Sequence, residues 1–333
     1  MIYKNFKDYR QAWDNADKID PIVPLNIDIE LVSTCNLRCP FCFIPDPSFE
    51  SFISQKAADG LPLRRIMSKE MAFHIIDQCS EIGVPSLKFN WRGESTLHPN
   101  YSEIVRYAKL HVNKNNLSPF FELLANTNAN CNHKAMEGLL CTTKCMVSLD
   151  SMVAETYEKM RVGGNFSLAK DVITGLIHFG HTNVWVRRII TKENYTEPFF
   201  VQVKEKWGDK VHVSEHYCFD RNINQSHELS GCDHDSRYPR KYCQYPSQRL
   251  VISSAGFIYP CCIDLHETMS LGNIRNKSIM NVWNGPDIKL LRKNLRSANT
   301  TNMTETCKYC ESWMSYDMPQ REFVKDKEII NAK

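Results

Sequence analysis

Three cysteines, Cys35, Cys39 and Cys42, follow directly on a run of alternating polar and apolar residues, Asp28 and Glu30 against Ile27, Ile29 and Leu31. The alternation has the period of a β-strand with one apolar face, so the C-x3-C-x2-C run sits on the loop that leaves the first strand. Cysteine thiolates are soft ligands that select zinc, copper(I) or iron–sulfur clusters. A structural zinc site closes its tetrahedron with four protein ligands. The nearest further candidates here, His74 and Cys79, lie within a predicted helix more than thirty residues on. Three thiolates on a four-iron cluster would leave one iron without a protein ligand, and an open metal position is where chemistry occurs. That asymmetry points to an enzyme rather than a structural metal site.

The chain of 333 residues can hold one large domain and a smaller one. Strand-like and helix-like segments alternate six times between Leu25 and His216, the pattern of parallel βα units. Ser68 is the predicted N-cap of a helix running to Ile82. The long loop from Phe43 to Met67, with Pro45, Pro47, Phe49 and Phe52, reads as a cover beside the cysteines. Four parts are expected: a polar extension over 1–24, an α/β domain over 25–220, a polar linker over 221–241 and a cysteine-rich domain over 242–333.

No run of eighteen apolar residues occurs, which excludes a membrane-spanning helix. The start of the chain lacks the apolar core of a secretory signal. A net charge of +3 is too small to argue for a nucleic-acid partner. Fourteen cysteines without an export signal favour reduced thiols and metal ligation over disulfides, and place the chain in the cytoplasm as an expectation.

The cysteine spacing resembles that of the radical S-adenosylmethionine (radical SAM) enzymes. In that family the three cysteines hold a [4Fe–4S] cluster whose fourth iron binds SAM, and the sheet forms a partial (β/α)6 TIM-like barrel. The resemblance extends to Gly93 and Glu94 after the second strand, similar to the family's Gly-Gly-Glu-Pro element, although Arg92 replaces the first glycine and Ser95 the proline. Thr127 and Asn128 resemble a Thr-Asn-Gly element, with Ala129 in place of the glycine. Ser148, Asp150 and Arg161 complete the cofactor-binding set that the resemblance implies. Arg187 and Arg188 alternate on the fifth strand, so one of them should face the barrel interior, where a buried cation needs an anion of SAM or substrate.

A second cysteine set follows the linker. Cys243, Gly256 and Cys261 precede Leu271-Gly272-Asn273-Ile274, Val282-Trp283-Asn284-Gly285 and the Cys307-x2-Cys310 pair. Spacing alone also permits a four-cysteine zinc ribbon. With its accompanying elements the segment resembles the SPASM and twitch domains of radical SAM enzymes. The resemblance implies one auxiliary [4Fe–4S] cluster on Cys243, Cys261, Cys307 and Cys310, a closed site suited to carrying an electron.

Cys79, Cys131, Cys141 and Cys145 read as small core residues. Cys218 and Cys262 are candidate catalytic thiols, with Cys232 nearby, and His98 and His216 candidate acids or bases. The leading expectation is oxidation of a sugar- or cyclitol-like substrate, with a flavodoxin or ferredoxin as electron donor. Epimerisation and peptide maturation are the competing reactions, although 24 residues before the barrel are few for a leader-binding domain. A non-catalytic zinc or cluster scaffold is the reading from a different class.

Overall fold

The computed structural model describes residues 2–57, 60–112, 118–217, 242–297, 302–308 and 310, with the backbone of 322–325 and 328–331. Cys218, Cys232 and the linker over 221–241 lie outside these residues. Six strands form where the alternation places them: β1 Asn26–Ile29, β2 Ser86–Lys88, β3 Glu122–Thr127, β4 Lys144–Ser148, β5 Val184–Ile190 and β6 Val211–Tyr217. They pair in parallel in the order β6-β5-β4-β3-β2-β1. The connecting helices include α3 (Lys69–Ile82), α4 (Tyr101–Leu110), α5 (His133–Leu140), α7 (Phe166–His178) and α8 (Phe199–Trp207). As predicted, Ser68 caps α3 by accepting from the Met71 N–H, and the helix stops at Gly83 in the left-handed conformation, φ +81°.

Each strand of this α/β partial barrel has two unlike faces. Ile27, Ile29, Leu87, Cys145, Val147 and Val186 are buried with Ile75, Ile104, Leu139 and Ile173 of the helices. Each such side chain taken from water contributes about 1.5–3 kcal/mol. The alternate positions, among them Asn26, Asp28, Lys88, Asn126, Ser148 and Arg187, line the inner face. A barrel filled with polar side chains gives up core stability for a place to bind. Cys79 and Cys145 are fully buried on the helix side and Cys131 nearly so, as core residues.

The cysteine-rich segment joins three of its strands to the barrel sheet, and among the described residues only Glu322–Lys325 and Glu328–Asn331 pair apart from it, as an antiparallel hairpin. Its strand β7 (Arg249–Ile252) pairs in parallel with β1, and β8 (Phe257–Tyr259) and β9 (Gly272–Asn273) extend the same sheet antiparallel. The β7–β8 turn uses Gly256 at φ +85°. The segment over 1–24 is likewise more than a polar extension. It carries α1 (Phe6–Asp14), whose buried Tyr9 donates to Glu122 of β3 at 2.7 Å. Trp283, fully buried, donates to the Pro21 carbonyl at 2.9 Å, and Arg296 pairs with Asp20. The segment over 1–24 therefore packs against residues 283–296, which the amphipathic pattern of α1 only hints at.

Two buried histidines make a prediction about acid stability. His98 contacts the Met67 carbonyl through Nε2 at 2.7 Å and accepts from the Asn100 N–H, so it is a satisfied loop residue. Burial holds His98 and His181 below the ordinary value of 6.5 by penalising the charged form. Below about pH 6.5 the unfolded chain thus binds protons that the native state refuses, and stability falls as pH falls. Urea midpoints should drop between pH 7 and pH 5.5; equal midpoints would contradict the assignment.

Candidate functional site

The three N-terminal cysteines converge on the loop after β1, each thiol within electrostatic reach of the others. Burial pushes the Cys35 thiol up to about 12 and raises Cys39 as well, so a bound metal has to displace these protons. Donors already face the sulfurs. The Leu37 N–H lies 3.4 Å and Asn128 Nδ2 3.6 Å from Cys35 Sγ, and Arg161 Nη1 lies 3.6 Å from Cys39 Sγ. Hydrogen bonds and cations aimed at thiolates fit a negatively charged cluster. Neither earlier candidate for a fourth ligand joins them: Cys79 is in the helix-side core, and His74 pairs with Gln78.

Gly93 fits the backbone of this loop and no larger residue does. Its φ is +67°, and a Cβ there would stand 2.4 Å from the carbonyl oxygens of Val32 and Thr34. The Glu94 N–H donates to the Thr34 carbonyl at 2.8 Å, which ties the end of β2 to the residue before Cys35. The Glu94 carboxylate is occupied by protein. It accepts from the Thr96 and Thr127 hydroxyls (2.7 and 2.9 Å) and from the Thr96 and Asn128 N–H groups (3.2 and 2.7 Å). Only Oε2, with one donor, retains an open lone pair for a ligand. Asn128 also donates to Asn36 Oδ1 at 2.9 Å, and Asn36 in turn to the Asn130 carbonyl at 2.8 Å. Ala129, where the family pattern has glycine, takes φ +58°.

Asp150 and Arg161, expected to meet a ligand separately, pair with each other. Asp150, fully buried at φ +62°, also accepts from the Ile189 N–H at 2.7 Å. Its carboxylate is thus spent on aiming Arg161 at Cys39. Ser148 stands beside Arg187 in register on the inner face. Arg188 faces the helices instead, paired with Glu215 and donating to the Asn194 and Glu197 carbonyls. His216, near Arg187, is lowered to about 4 by burial and by that cation.

The second cysteine set flanks β7 and β8, with Cys243 before β7 and Cys261 after β8. Cys243 packs with Leu291, Leu295, Met303 and Cys307, and Cys261 feels the charges of Cys243 and Cys310. Among the described residues no group of three Cys, His, Asp or Glu side chains is placed to hold a metal ion, at either cysteine set. Cys262 adjoins this set; its carbonyl accepts from Trp91 Nε1 at 2.7 Å, and its thiol feels Arg249, Asp28 and Lys88.

Sequence reasoning missed what joins the two sites. Arg92, 1% exposed, donates to both oxygens of Glu30 (2.6 and 2.9 Å), to Glu267 (2.6 Å) and to the Leu265 carbonyl (3.0 Å). Ser254 caps Glu30 through its N–H and hydroxyl, and Tyr259 donates to Glu267. The guanidinium stacks 4.0 Å from the Trp91 ring. The loop after Cys42 closes the same junction. Its helix α2 (Pro47–Ile53) brings Phe49 and Ile53 into a cluster with Phe43, Leu63 and Leu265. The departure at Arg92 from the family's glycine was the one available signal.

Residues 243–311 match the SPASM family, an iron–sulfur cluster-binding domain. The chain is 24% identical over 218 residues to a GTP 3′,8-cyclase of Lactiplantibacillus plantarum, covering 64% of this chain and 55% of that protein. It is 27% identical over 82 residues to an S-adenosyl-L-methionine-dependent 2-deoxy-scyllo-inosamine dehydrogenase of Niallia circulans, covering 25% of this chain and 32% of that protein. The chain thus spans about half the length of the first relative and a third of the second. Its fold is similar to that of BtrN, solved with AdoMet and 2-DOIA, at a TM-score of 0.55 and 17% identity over 88% of this chain and 94% of that one. Among the described residues no helix is long and apolar enough to cross a membrane. The triad on the first βα loop, the parallel partial barrel and the relatives matched agree in pointing to the radical SAM enzymes, and residues 243–311 carry a SPASM-type iron–sulfur cluster-binding domain.

Proposed function

We propose that this chain oxidises a sugar- or cyclitol-like small molecule by hydrogen-atom abstraction. The observation that carries the reading is the convergence of N–H and guanidinium donors on two of the three clustered thiols, Cys35 and Cys39, beside an obligatory glycine. A [4Fe–4S] cluster together with SAM would supply the chemistry of reductive SAM cleavage and hydrogen-atom abstraction from a substrate carbon. Cys35, Cys39 and Cys42 would hold that cluster, while Leu37, Asn128 and Arg161 offset its charge from the protein side. Gly93 keeps the backbone after β2 close to the loop, and Glu94 Oε2 offers its open lone pair to the SAM ammonium. Ser148 and Arg187, on the inner face, are placed for the SAM ribose or carboxylate.

Cys243, Cys261, Cys307 and Cys310 would hold a second cluster, closed by four protein ligands and so suited to accept an electron. The inner face beside Cys262 joins that set to the barrel, which is where a substrate losing hydrogen and an electron has to lie. The similarity to the Niallia circulans 2-deoxy-scyllo-inosamine dehydrogenase supports this outcome. A flavodoxin or ferredoxin is the class of donor that would supply the reducing electron.

Anaerobic reconstitution should give about eight iron atoms per chain and 5′-deoxyadenosine from SAM and dithionite. The Cys35→Ala/Cys39→Ala/Cys42→Ala variant should keep about four irons and form no deoxyadenosine. Removing the second set instead should leave about four irons and retain SAM cleavage. Zinc in place of iron, or no SAM cleavage by the reconstituted enzyme, would sink the proposal.

A further inference from the structure

Three adjacent strands present unmatched polar groups on the inner face. Asp28 of β1 is fully buried; its Oδ1 accepts from Asn26 Nδ2 at 2.7 Å, while Oδ2 accepts no hydrogen bond from a described residue. Arg249 Nη1 stands 3.6 Å from Oδ2, close enough to stabilise the charge but too far for a hydrogen bond. Lys88, its register partner on β2, is half-buried, and no hydrogen bond or ion pair to a described residue engages its ammonium. Asn126, two residues past the register partner of Lys88 on β3, buries an amide oxygen that has no donor among the described residues, although its N–H is taken by Asn90.

Buried polar atoms are normally paired, and those left open call for an explanation. Glu30, Glu94 and Asp150, buried on the same barrel, have both oxygens met by protein donors. The open groups instead cluster on neighbouring strands, next to Cys262, whose thiol feels Asp28, Lys88 and Arg249. We infer that Asp28, Lys88 and Asn126 form the polar subsite of the substrate and that it takes a polyol. Two acceptors flanking one cation complement hydroxyl groups that donate to Asp28 and Asn126 while a neighbouring oxygen accepts from Lys88. A phosphate would meet the carboxylate of Asp28, and an apolar side chain would leave all three groups unpaired. This deepens the proposed function and rests on its reading of the barrel interior as the substrate chamber.

The test is anaerobic calorimetry on the reconstituted full chain with 2-deoxy-scyllo-inosamine, glucosamine and myo-inositol 1-phosphate as probes. A cyclitol and a sugar distinguish two sources of the same hydroxyl pattern. At least one of the first two should bind more tightly than the phosphate. Asp28→Asn and Lys88→Met should each weaken that binding tenfold or more, with circular dichroism confirming the fold. Lys88→Met, at a half-buried position, keeps the test intact if the Asp28 variant does not fold. Binding of neither polyol, tighter binding of the phosphate, or variants that bind like the parent would overturn the subsite. Deoxyadenosine formed by the parent enzyme without polyol binding would sink the subsite alone. Polyol binding lost in the variants, with no deoxyadenosine from the parent, would support the subsite and remove the proposed reaction.

Discussion

Replacing Arg92 by methionine is expected to destabilise the protein by about 3–5 kcal/mol, because it strands two buried carboxylates without a cation. Glu30 and the Arg92 side chain are fully buried and Glu267 nearly so, so water cannot replace the lost donors. Part of the burden is relieved if the anions are removed together: the Arg92→Met/Glu30→Gln/Glu267→Gln variant should be more stable than Arg92→Met alone. The coupling would show as non-additive urea midpoints. Because Arg92 joins β2 to the segment carrying Glu267 and Leu265, iron bound by the second cysteine set should fall in parallel. An Arg92→Met protein that melts within about 1 kcal/mol of the parent would show that the network contributes no net stability.

Gly93→Ala should be nearly as damaging for a different reason. The added methyl meets two carbonyl oxygens at 2.4 Å and the Thr34 nitrogen at 2.8 Å, all backbone, and the residue already needs φ +67°. Strain of this kind costs about 3 kcal/mol or more when backbone has to move. The displaced backbone runs directly into Cys35, so the loss is expected to fall on iron incorporation by the N-terminal triad. Iron per chain and SAM cleavage should both decline, while the second cysteine set stays loaded. Parent-like iron content and urea midpoint in this variant would be incompatible with the close packing of Gly93 on Thr34.

Much of the scaffold was legible because its signals are local. Ser68 announces α3, the alternation of Asp28 and Glu30 with Ile27 and Ile29 announces β1, and Gly256 announces the β7–β8 turn. The cysteine sets could be read from spacing for the same reason. Partnerships were not legible. Glu94 was expected to face a ligand, yet most of its capacity goes to Thr96, Thr127 and Asn128. Asp150 and Arg161 were expected to act apart, yet each occupies the other. Charge and residue type show that a group needs a partner, while the choice among several candidates depends on which strands become neighbours.

The sequence by itself determined where the two cysteine sets lie along the chain, the order of βα units and the two-faced strands. These follow from side-chain chemistry and from periods of two and about 3.6 residues, which act over a few residues at a time. Tertiary structure alone decided that the C-terminal segment joins the barrel sheet at β1 and that α1 packs against β3. It also placed Arg92 between Glu30, 62 residues away, and Glu267, 175 residues away. The cost of burying an unpaired charge demands such a cluster, but only strand register and chain path select its members. The same register set Asp28, Lys88 and Asn126 on neighbouring strands, where Asp28 Oδ2 and Asn126 Oδ1 accept no hydrogen bond from a described residue.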